Sequence, residues 1–590
     1  MNFNISLKNV LGIGALITAS FLTTSCEDFL DRPTEDNYNT ENFYGSDKAC
    51  IAGVNYLYNS PWYDFQRGFI KVGEVFSGNM YWGNSPYLNF SVNGTDQDLV
   101  NMSYSLWAEI GHCSTVYESL KGASASQEVK NQCMGECLTW KAMAYFYLVR
   151  TFGDVPIIHD NSAMLASGKY NELSKVEKAD VYEYIILTLE KAMELLPKSS
   201  DPGRIDYYCA EGLLSKVYLT KAGVSGSLNN EDLQKAADYA KDVIDNSGRK
   251  LMDNYEDIFR GSNNTCPESL IAWRWTVGAH WTSQNTLQSD LGIEGMCEVG
   301  SVWGGWGGPS TDLMEAFGVI KIDGTGKDSR LVEWQSPASR ADIDTRRKAT
   351  MMIAGDKYAY FWRDKGGFDY LKFIYDKSYN ASATEQLEGP CGSNNVKHLY
   401  GDAADHQAEM GIADGRMASA LATHLLRLSD VYLIHAEAMT LLGRGSEQSA
   451  LDAFNAVHQR AIPTAVAVTS LNFDMIWKER RLEFAGEGDR WYDYVRRAYY
   501  DVNSCIAELK AQHRNRLWNC DPLYKAYYKS GTWNLTTTDG QVEYDYDTEV
   551  PNVTANSFTL PFPSEDVALN PNLATGSPSV HVDIRATYSY

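Results

Sequence analysis

Apolar residues recur at helical spacing over two long stretches of this chain. Residues 136–152 are almost entirely apolar, which is typical of a buried helix, and Gly153 and Pro156 mark its end. Asp180 and Glu183 have the spacing of a capping box at the start of the next helix. Amphipathic helices, each with one apolar stripe, are predicted at 180–197, 206–223, 231–247, 425–442, from 446 onward, 470–485 and 489–499.

These helices follow one another in pairs of roughly the length of a tetratricopeptide (TPR) unit. Because the repeat is loose, the pattern predicts a TPR-like stack rather than a regular array. The predicted fold class is therefore mostly α, with a helical scaffold at about 41–250 and 423–529. The tail at 530–590 is rich in Thr, Asn, Pro and Tyr and is predicted to wrap the scaffold in extended form.

The helical pattern fades at about 252–422 and again at 74–104, where glycine, asparagine, serine and tryptophan become frequent. Long irregular segments on a helical scaffold are usually functional, so a loop-rich binding region is predicted at 252–422. A short run that alternates as a strand does contains Trp273 and Trp275. We interpret these two residues and Trp281 as core residues.

The first 25 residues have the features of a bacterial lipoprotein signal peptide. An apolar run at 10–22 follows Lys8 and is too short to span a bilayer, which takes about 20 residues. The residues before Cys26 resemble a lipobox, although Leu22 lies one position further out than usual. An ordinary secretory signal is the alternative, but no A-x-A-like cleavage site is present. We predict cleavage before Cys26, lipidation of that cysteine, and a membrane-tethered mature chain 26–590 that faces outward from the cytoplasm.

The net charge of −24 at pH 7 limits the possible partners. A chain this acidic is repelled by phosphate backbones, so we expect no nucleic-acid partner. It is also repelled by anionic lipid, and no second apolar run approaches spanning length. The lipid is thus the predicted membrane attachment.

Acidic and basic residues crowd the segment 479–493, ERRLEFAGEGDRWYD. Glycoside hydrolysis needs two carboxylates facing each other across a sugar bond. Here every carboxylate has an arginine close in sequence, such as Arg480 three residues before Glu483, which indicates a structural ion network. No His-Glu-x-x-His or Gly-x-Ser-x-Gly motif occurs. Cys133 and Cys137 are interpreted as buried thiols rather than metal ligands, because no second Cys/His pair completes a four-ligand set. Together these observations predict no catalytic residue, metal site or cofactor.

Several segments recur together in one family of bacterial lipoproteins. The strongest is 479–493; residues 140–157, WKAMAYFYLVRTFGDVPI, match another, with Lys141 in place of the usual arginine. Further matching segments are 26–33, 43–44 with 54–58, 195–197 with 203–204, 309–317 with 323–324 and 328–331, 428–433 with 436–438, and 561–565 with 570–571. The family's usual Gln-Asn-Pro-Gly-Tyr close is absent. Together these segments resemble the SusD/RagB family of Bacteroidetes outer-membrane lipoproteins over nearly the whole mature chain.

The resemblance implies a mostly helical, TPR-containing SusD-like fold and a surface receptor without enzymatic activity. It implies a glycan ligand and a SusC-like TonB-dependent transporter, to which the protein delivers the glycan as a lid over the barrel. It also implies a lipid-anchored position on the outer leaflet of the outer membrane. Two alternatives stay open, an α-helical glycoside hydrolase and a RagB-like peptide receptor. The sequence does not identify the glycan, and a fructan is one candidate among many.

Aromatic residues in the irregular segments are the candidate glycan-binding residues. An aromatic ring packs against the apolar face of a sugar, while Asn, Asp and Arg read its hydroxyl groups. The alternative is that these tryptophans only pack the loops onto the scaffold. The predicted site residues are Tyr81, Trp82, Trp303, Trp306, Asp64 and Arg363.

Overall fold

The computed structural model of the chain describes residues 43–83, 85–297, 307–322, 332–537, 540–546 and 551–590. Most of the described chain is helical, as the apolar pattern predicts. The helices are α1 (Asp47–Asn55), α2 (Gln66–Ile70), α3 (Gln97–Lys121), α4 (Gln127–Phe152), α5 (Asn161–Ser167), α6 (Lys178–Leu195), α7 (Tyr207–Lys221), α8 (Asn230–Asn246), α9 (Leu287–Leu291), α10 (Thr311–Ala316), α11 (Arg346–Thr350), α12 (Tyr370–Tyr375), α13 (Ala403–Met410), α14 (Leu428–Leu441), α15 (Gln448–Ala461), α16 (Phe473–Phe484), α17 (Arg490–Ala511), α18 (Cys520–Ser530), α19 (Ser564–Leu569) and α20 (Ile584–Thr587).

The strands are short and form two-stranded sheets in the described part of the chain. The pairs are antiparallel except the parallel pair β2–β16. The strands are β1 (Met80–Trp82), β2 (Lys175–Val176), β3 (Ser269–Trp273), β4 (Gly307–Pro309), β5 (Ile320–Ile322), β6 (Val332–Trp334), β7 (Met351–Met352), β8 (Lys357–Tyr358), β9 (Phe368–Asp369), β10 (Asn394–Asn395), β11 (Thr423–Arg427), β12 (Leu517–Trp518), β13 (Thr536–Thr537), β14 (Gly540–Gln541), β15 (Glu543–Tyr544) and β16 (Ser579–Val580). The pairs are β1–β4, β3–β11, β5–β6, β7–β10, β8–β9, β12–β15, β13–β14 and β2–β16.

The long helices pack side by side in the order α3–α4–α6–α7–α8–α14–α15. Helix α14 packs directly on α8, so the two predicted helical stretches form one stack although the loop-rich segment separates them in sequence. Helix α4 lies inside the stack, and every residue from Cys133 to Phe152 is buried. This confirms the buried helix predicted at 136–152. Cys133 and Cys137 on this helix are buried thiols without a disulfide bond.

Two local predictions are wrong. The capping box predicted from Asp180 and Glu183 does not form, because α6 begins earlier, at Lys178. The Asp180 carboxylate instead accepts hydrogen bonds from His581 Nδ1 at 2.9 Å and from the N–H of Val582 at 2.8 Å, so it fixes the tail. Residues 97–104, expected to be irregular, form the first two turns of α3.

Two large apolar cores, and a third small cluster around Tyr255 and Ile258, support the described part of the fold. In the larger one, the Trp62 ring lies 5.4 Å from Trp140 and 5.5 Å from Trp273, and all three indoles are fully buried. Loss of one such side chain costs about 3–5 kcal/mol. The smaller of the two large cores, which includes Trp334 and Trp362, joins the loop-rich region to residues 517–544. The loops of this region are therefore anchored on an apolar core.

The tail wraps the scaffold through aromatic contacts. Phe562 stacks on Phe152, with 4.8 Å between ring centroids, and Phe558 stacks on Trp491 at 5.2 Å. The terminal Tyr590 hydroxyl donates a hydrogen bond to the Tyr184 hydroxyl at 3.0 Å. The tail also contains the short helices α19 and α20, which its composition did not predict.

Candidate functional site

The helical segment Ser60–Val75 buries one face and opens the other to solvent. Its 3₁₀ turn Ser60–Phe65 runs into α2 and then into a π turn, Lys71–Val75. On the inner face Trp62, Phe65 and Phe69 pack around Trp273. This packing fixes the position of the outer face. The outer face carries Tyr63, Asp64, Arg67 and Lys71.

Asp64 differs from the other charged residues of this outer face. Arg67 forms a two-pronged ion pair with Asp290, at 2.8 and 2.7 Å, and Lys71 pairs with Asp98. The half-buried Asp64 side chain makes no hydrogen bond or ion pair with any residue that the structure describes. Burial raises the pKa of Asp64. Asp64 therefore offers unused acceptor oxygens on an open face.

Trp281 lies at one end of this face. Its side chain is 59% exposed, and its ring meets the ring of Tyr63 edge to face at 6.5 Å. The prediction that Trp281 is a core residue is wrong, whereas Trp273 and Trp275 are buried as predicted. Strand β3 ends at Trp273, the chain turns at Gly278 with φ +87°, and a 3₁₀ turn then carries Trp281 on the surface. Gly278, which interrupts the alternation, is the sequence feature that separates Trp281 from the strand.

Trp82 lies at the other end of the face and is partly exposed. The Lys71 ammonium lies 5.1 Å from the centroid of its ring. Strand β1 pairs with β4 so that Trp82 is opposite Gly307, where the absence of a side chain leaves room for the indole. The side-chain amide of Asn395 donates a hydrogen bond to the Gly307 carbonyl at 2.7 Å. This hydrogen bond fixes strand β4 at Gly307, the residue on which the Trp82 indole rests.

These residues form an open strip that we call the platform. Asp64 and Lys71 are seven residues apart on a helical segment, so about 10 Å separates them. Trp281 contacts Tyr63 beside Asp64, and Trp82 contacts Lys71, so the two indoles flank the strip. The platform comprises Tyr63, Asp64, Arg67, Lys71, Trp82 and Trp281.

Tyr81 points away from the platform. Successive strand residues face opposite sides, and accordingly Trp82 packs against the larger core and Tyr81 against the smaller one. Tyr81 lines a separate polar cleft of about 950 Å³ together with Arg516. Burial raises the pKa of Tyr81. The structure therefore brings Trp82 and Asp64 to one strip and places Tyr81 behind it.

The remaining predicted residues are not joined to the platform by a described contact. Arg363 forms an ion pair with Glu409 on α13, and its side chain is 39% exposed. Trp303, Trp306 and Cys26 lie outside the described residues. In the part of the chain that the structure describes, no helix has both the length and the apolar character needed to cross a membrane.

The charged segment 479–493 is an ion network, as predicted. Glu483 pairs with the buried Arg427 at 3.1 Å and with Arg460, whose side chain is 6% exposed, at 2.6 Å. The expected pairing of Arg480 with Glu483 does not form, because Arg480 instead pairs with Asp430 at 2.7 Å and with Asp493 at 3.0 Å. Partners thus come from strand β11 and from other helices, and the Glu483 carboxylate is occupied by guanidinium groups rather than presented across a cleft.

Comparisons with known proteins agree with this fold. The SusD family profile matches residues 273–576, and a second profile, "Starch-binding associating with outer membrane", matches residues 28–219. A SusD-like protein of Bacteroides ovatus is 31% identical over 95% of this chain and 96% of its own length. SusD-like protein P2 of Formosa agariphila is 24% identical over 69% of this chain and 73% of its own length.

Solved structures superpose over most of the chain. A crystal structure described as containing a xylogluco-oligosaccharide aligns with a TM-score of 0.74 and 27% identity, covering 92% of this chain and 100% of that one. A laminarin-binding SusD-like protein aligns with a TM-score of 0.61 and 20% identity, covering 89% of this chain and 98% of that one, which shows the shared fold alone. The profile matches, the identity to the Bacteroides ovatus relative and the mostly helical architecture together show that this chain belongs to the SusD family, a family of carbohydrate-binding proteins rather than enzymes.

Proposed function

We propose that this protein captures a neutral oligosaccharide or polysaccharide on the platform. The observation that carries the proposal is the exposed indole of Trp281, which meets the Tyr63 ring edge to face. Asp64, the chain neighbour of Tyr63, has a carboxylate without a described hydrogen-bond partner. A sugar presents an apolar C–H face and a rim of hydroxyl groups. An indole and a free acceptor side by side match these two surfaces.

The platform is shallow, so the affinity of one site is expected to be weak. Each ring contact contributes on the order of 0.5–1.5 kcal/mol beyond area burial, by analogy with aromatic pairs. Association costs offset much of this gain, which gives a Kd of roughly μM to mM. A repeating polymer raises the apparent affinity because several sites on the cell surface engage one chain.

The charge of the protein favours a neutral ligand. The net charge of −24 repels an anionic polymer, and the free polar group on the platform is itself a carboxylate. The relative described with a xylogluco-oligosaccharide supports a glycan of this class.

Four further residues are proposed as additional contacts. Trp303 and Trp306 are proposed as contacts because Trp306 immediately precedes Gly307 in sequence, and Gly307 pairs with Trp82. Tyr81 is proposed to contact a ligand through its own cleft, and Arg363 through its exposed guanidinium.

Delivery to a SusC-like TonB-dependent transporter is proposed from family membership. The lipid on Cys26 would tether the protein to the outer leaflet of the outer membrane, beside that transporter. The profile that associates residues 28–219 with the outer membrane supports this location.

The test is a binding screen of the mature chain against starch, xyloglucan, laminarin and other neutral polysaccharides, by affinity electrophoresis and calorimetry. We expect Trp82→Ala and Trp281→Ala each to weaken binding roughly fivefold to tenfold. The control is Tyr170→Ala, an aromatic residue of the 3₁₀ turn Tyr170–Glu172 that is 41% exposed and belongs to neither the platform nor the Tyr81 cleft. Unchanged binding by both platform variants would place the ligand elsewhere.

A further inference from the structure

Exposed aromatic residues continue beyond the Trp281 end of the platform. His280 is the chain neighbour of Trp281, and its ring stacks on Tyr56 with 6.2 Å between centroids and 28° between planes. Tyr56 in turn meets His112 of α3 edge to face at 5.0 Å. All three rings are exposed, Tyr56 by 38%. We call Tyr56, His112 and His280 the outer row.

Hydrogen bonds fix the orientation of the His280 ring. The Ser60 hydroxyl donates to Asn59 Oδ1 at 2.9 Å, so it accepts from His280 Nε2, which lies 3.1 Å away. His280 Nδ1 then accepts from the Thr282 hydroxyl at 3.0 Å. Both nitrogens are occupied by the protein, so the imidazole presents its ring rather than a free polar atom.

The outer row lies on the same ridge as the platform. Tyr56 belongs to the 3₁₀ turn Tyr56–Tyr58, which a bend at Asn59 joins to the segment Ser60–Val75. From Tyr56 to Lys71 the ridge spans fifteen residues, or about 20 Å. At the Trp82 end the β1–β4 pair bounds the strip. The open continuation is therefore at the Trp281 end, over His280 and Tyr56.

We propose that the outer row is a second binding segment, which holds the part of a neutral glycan chain that extends past Trp281. This inference rests on the proposed function and adds selection for chain length. A short oligosaccharide occupies only the platform, whereas a longer one occupies the platform and also covers Tyr56. The occupant is a glycan because the row adjoins the platform at the chain neighbours His280 and Trp281 and presents exposed rings beside the Thr282 hydroxyl group, a combination that suits the apolar face and the hydroxyl rim of a sugar.

The test compares ligand lengths rather than ligand types. The protein is titrated with short oligosaccharides of xyloglucan, laminarin and starch that are no longer than about 10 Å, the length of the platform. It is titrated separately with longer fractions that span about 20 Å, the length of the whole ridge. Fractions of this size contact one protein molecule, which excludes bridging by polymer. The variants are Tyr56→Ala, Tyr56→Phe, which keeps the ring, and Trp82→Ala.

We expect Tyr56→Ala to weaken binding of the longer fraction roughly fivefold and of the short one less than twofold. Tyr56→Phe is expected to bind both as the wild type does, and Trp82→Ala to weaken both. If the wild type binds glycan and Tyr56→Ala changes neither length, or both equally, the outer row is not a length-selective segment and the proposed function stands. If Tyr56→Ala instead loses only assembly with the transporter, the row is a protein interface. If the wild type binds no fraction, the proposed function fails with it.

Discussion

Gly307 lies directly beneath the indole of Trp82. A Cβ atom at position 307 would stand 2.4 Å from Cε3 and 2.9 Å from Cζ3 of that ring, closer than any real contact. The two residues face each other across the β1–β4 pair. The absence of a side chain at position 307 therefore sets the position of one of the two platform indoles.

Gly307→Ala is expected to displace this indole and to weaken glycan binding about as much as Trp82→Ala does. The fold should survive, because overpacking one partly exposed ring costs about 1–3 kcal/mol. Calorimetric titration with the best ligand of the screen, together with thermal unfolding, measures both effects. The control is Gly122→Ala, where an added Cβ meets nothing within 4 Å. Full affinity in Gly307→Ala would show that the ligand does not touch Trp82.

Asp64 is expected to make glycan binding depend on pH. Burial raises its pKa above that of an ordinary aspartate. If the carboxylate accepts hydrogen bonds from sugar hydroxyls, affinity is full above this pKa and falls as the pH drops through it. Titration across the acidic range should show this fall in the wild type and in Trp281→Ala, while Asp64→Asn binds more weakly at neutral pH and without the pH dependence. A wild-type affinity that stays constant with pH would remove Asp64 from the site.

The helical stack was predictable from sequence because each helix carries its own apolar stripe. Helix α4 is the clearest case, since a run without a polar face has to lie inside. The partners of side chains were not predictable in the same way. Asp180 and Arg480 both have close charged neighbours in sequence, but the Asp180 carboxylate binds a residue 402 positions away, and the Arg480 guanidinium binds residues 13 and 50 positions away.

The platform could be predicted only in part, because its residues come from segments that are far apart in sequence. Trp82 lies next to glycine in a polar segment and was predicted as a binding residue, and the structure leaves it partly exposed. Trp281 follows a strand closely enough to suggest that the chain continues inward. Only the turn at Gly278 reverses that expectation. The neighbourhood of Asp64 and Trp281 depends on packing between segments more than 200 residues apart, such as Gln66 with Gln284, and no local pattern encodes it.

Glu483 is expected to carry much of the acid sensitivity of the fold. Burial alone raises the pKa of Glu483, but Arg460, Arg427 and Arg346 outweigh it and lower the pKa to about 2. Its unfolded pKa is near the ordinary 4.5, so its contribution is full above pH 4.5 and is lost as the pH falls toward 2. Glu483→Gln leaves these guanidinium groups short of a partner and is expected to cost about 3–5 kcal/mol at neutral pH.

Urea unfolding at pH 7 and at pH 3 measures this effect. The stability of Glu483→Gln should differ less between the two pH values than that of the wild type. The control is Glu447→Gln, whose exposed partner Arg444 gives a pair that contributes little. Equal losses in the two variants would mean that the buried network does not hold the charge of Glu483.

Cys26 is predicted to determine where the protein resides and not what it binds. Replacing residues 1–26 by an ordinary secretory signal removes the lipid and leaves the platform residues untouched. We expect this variant to keep its glycan affinity and to appear in the soluble fraction, whereas the wild type is found in membranes and is removed from intact cells by added protease. Incorporation of labelled palmitate, present in the wild type and absent in Cys26→Ala, checks the modification itself. A variant without Cys26 that stays in the outer membrane would show that another part of the chain, or the transporter alone, holds the protein there.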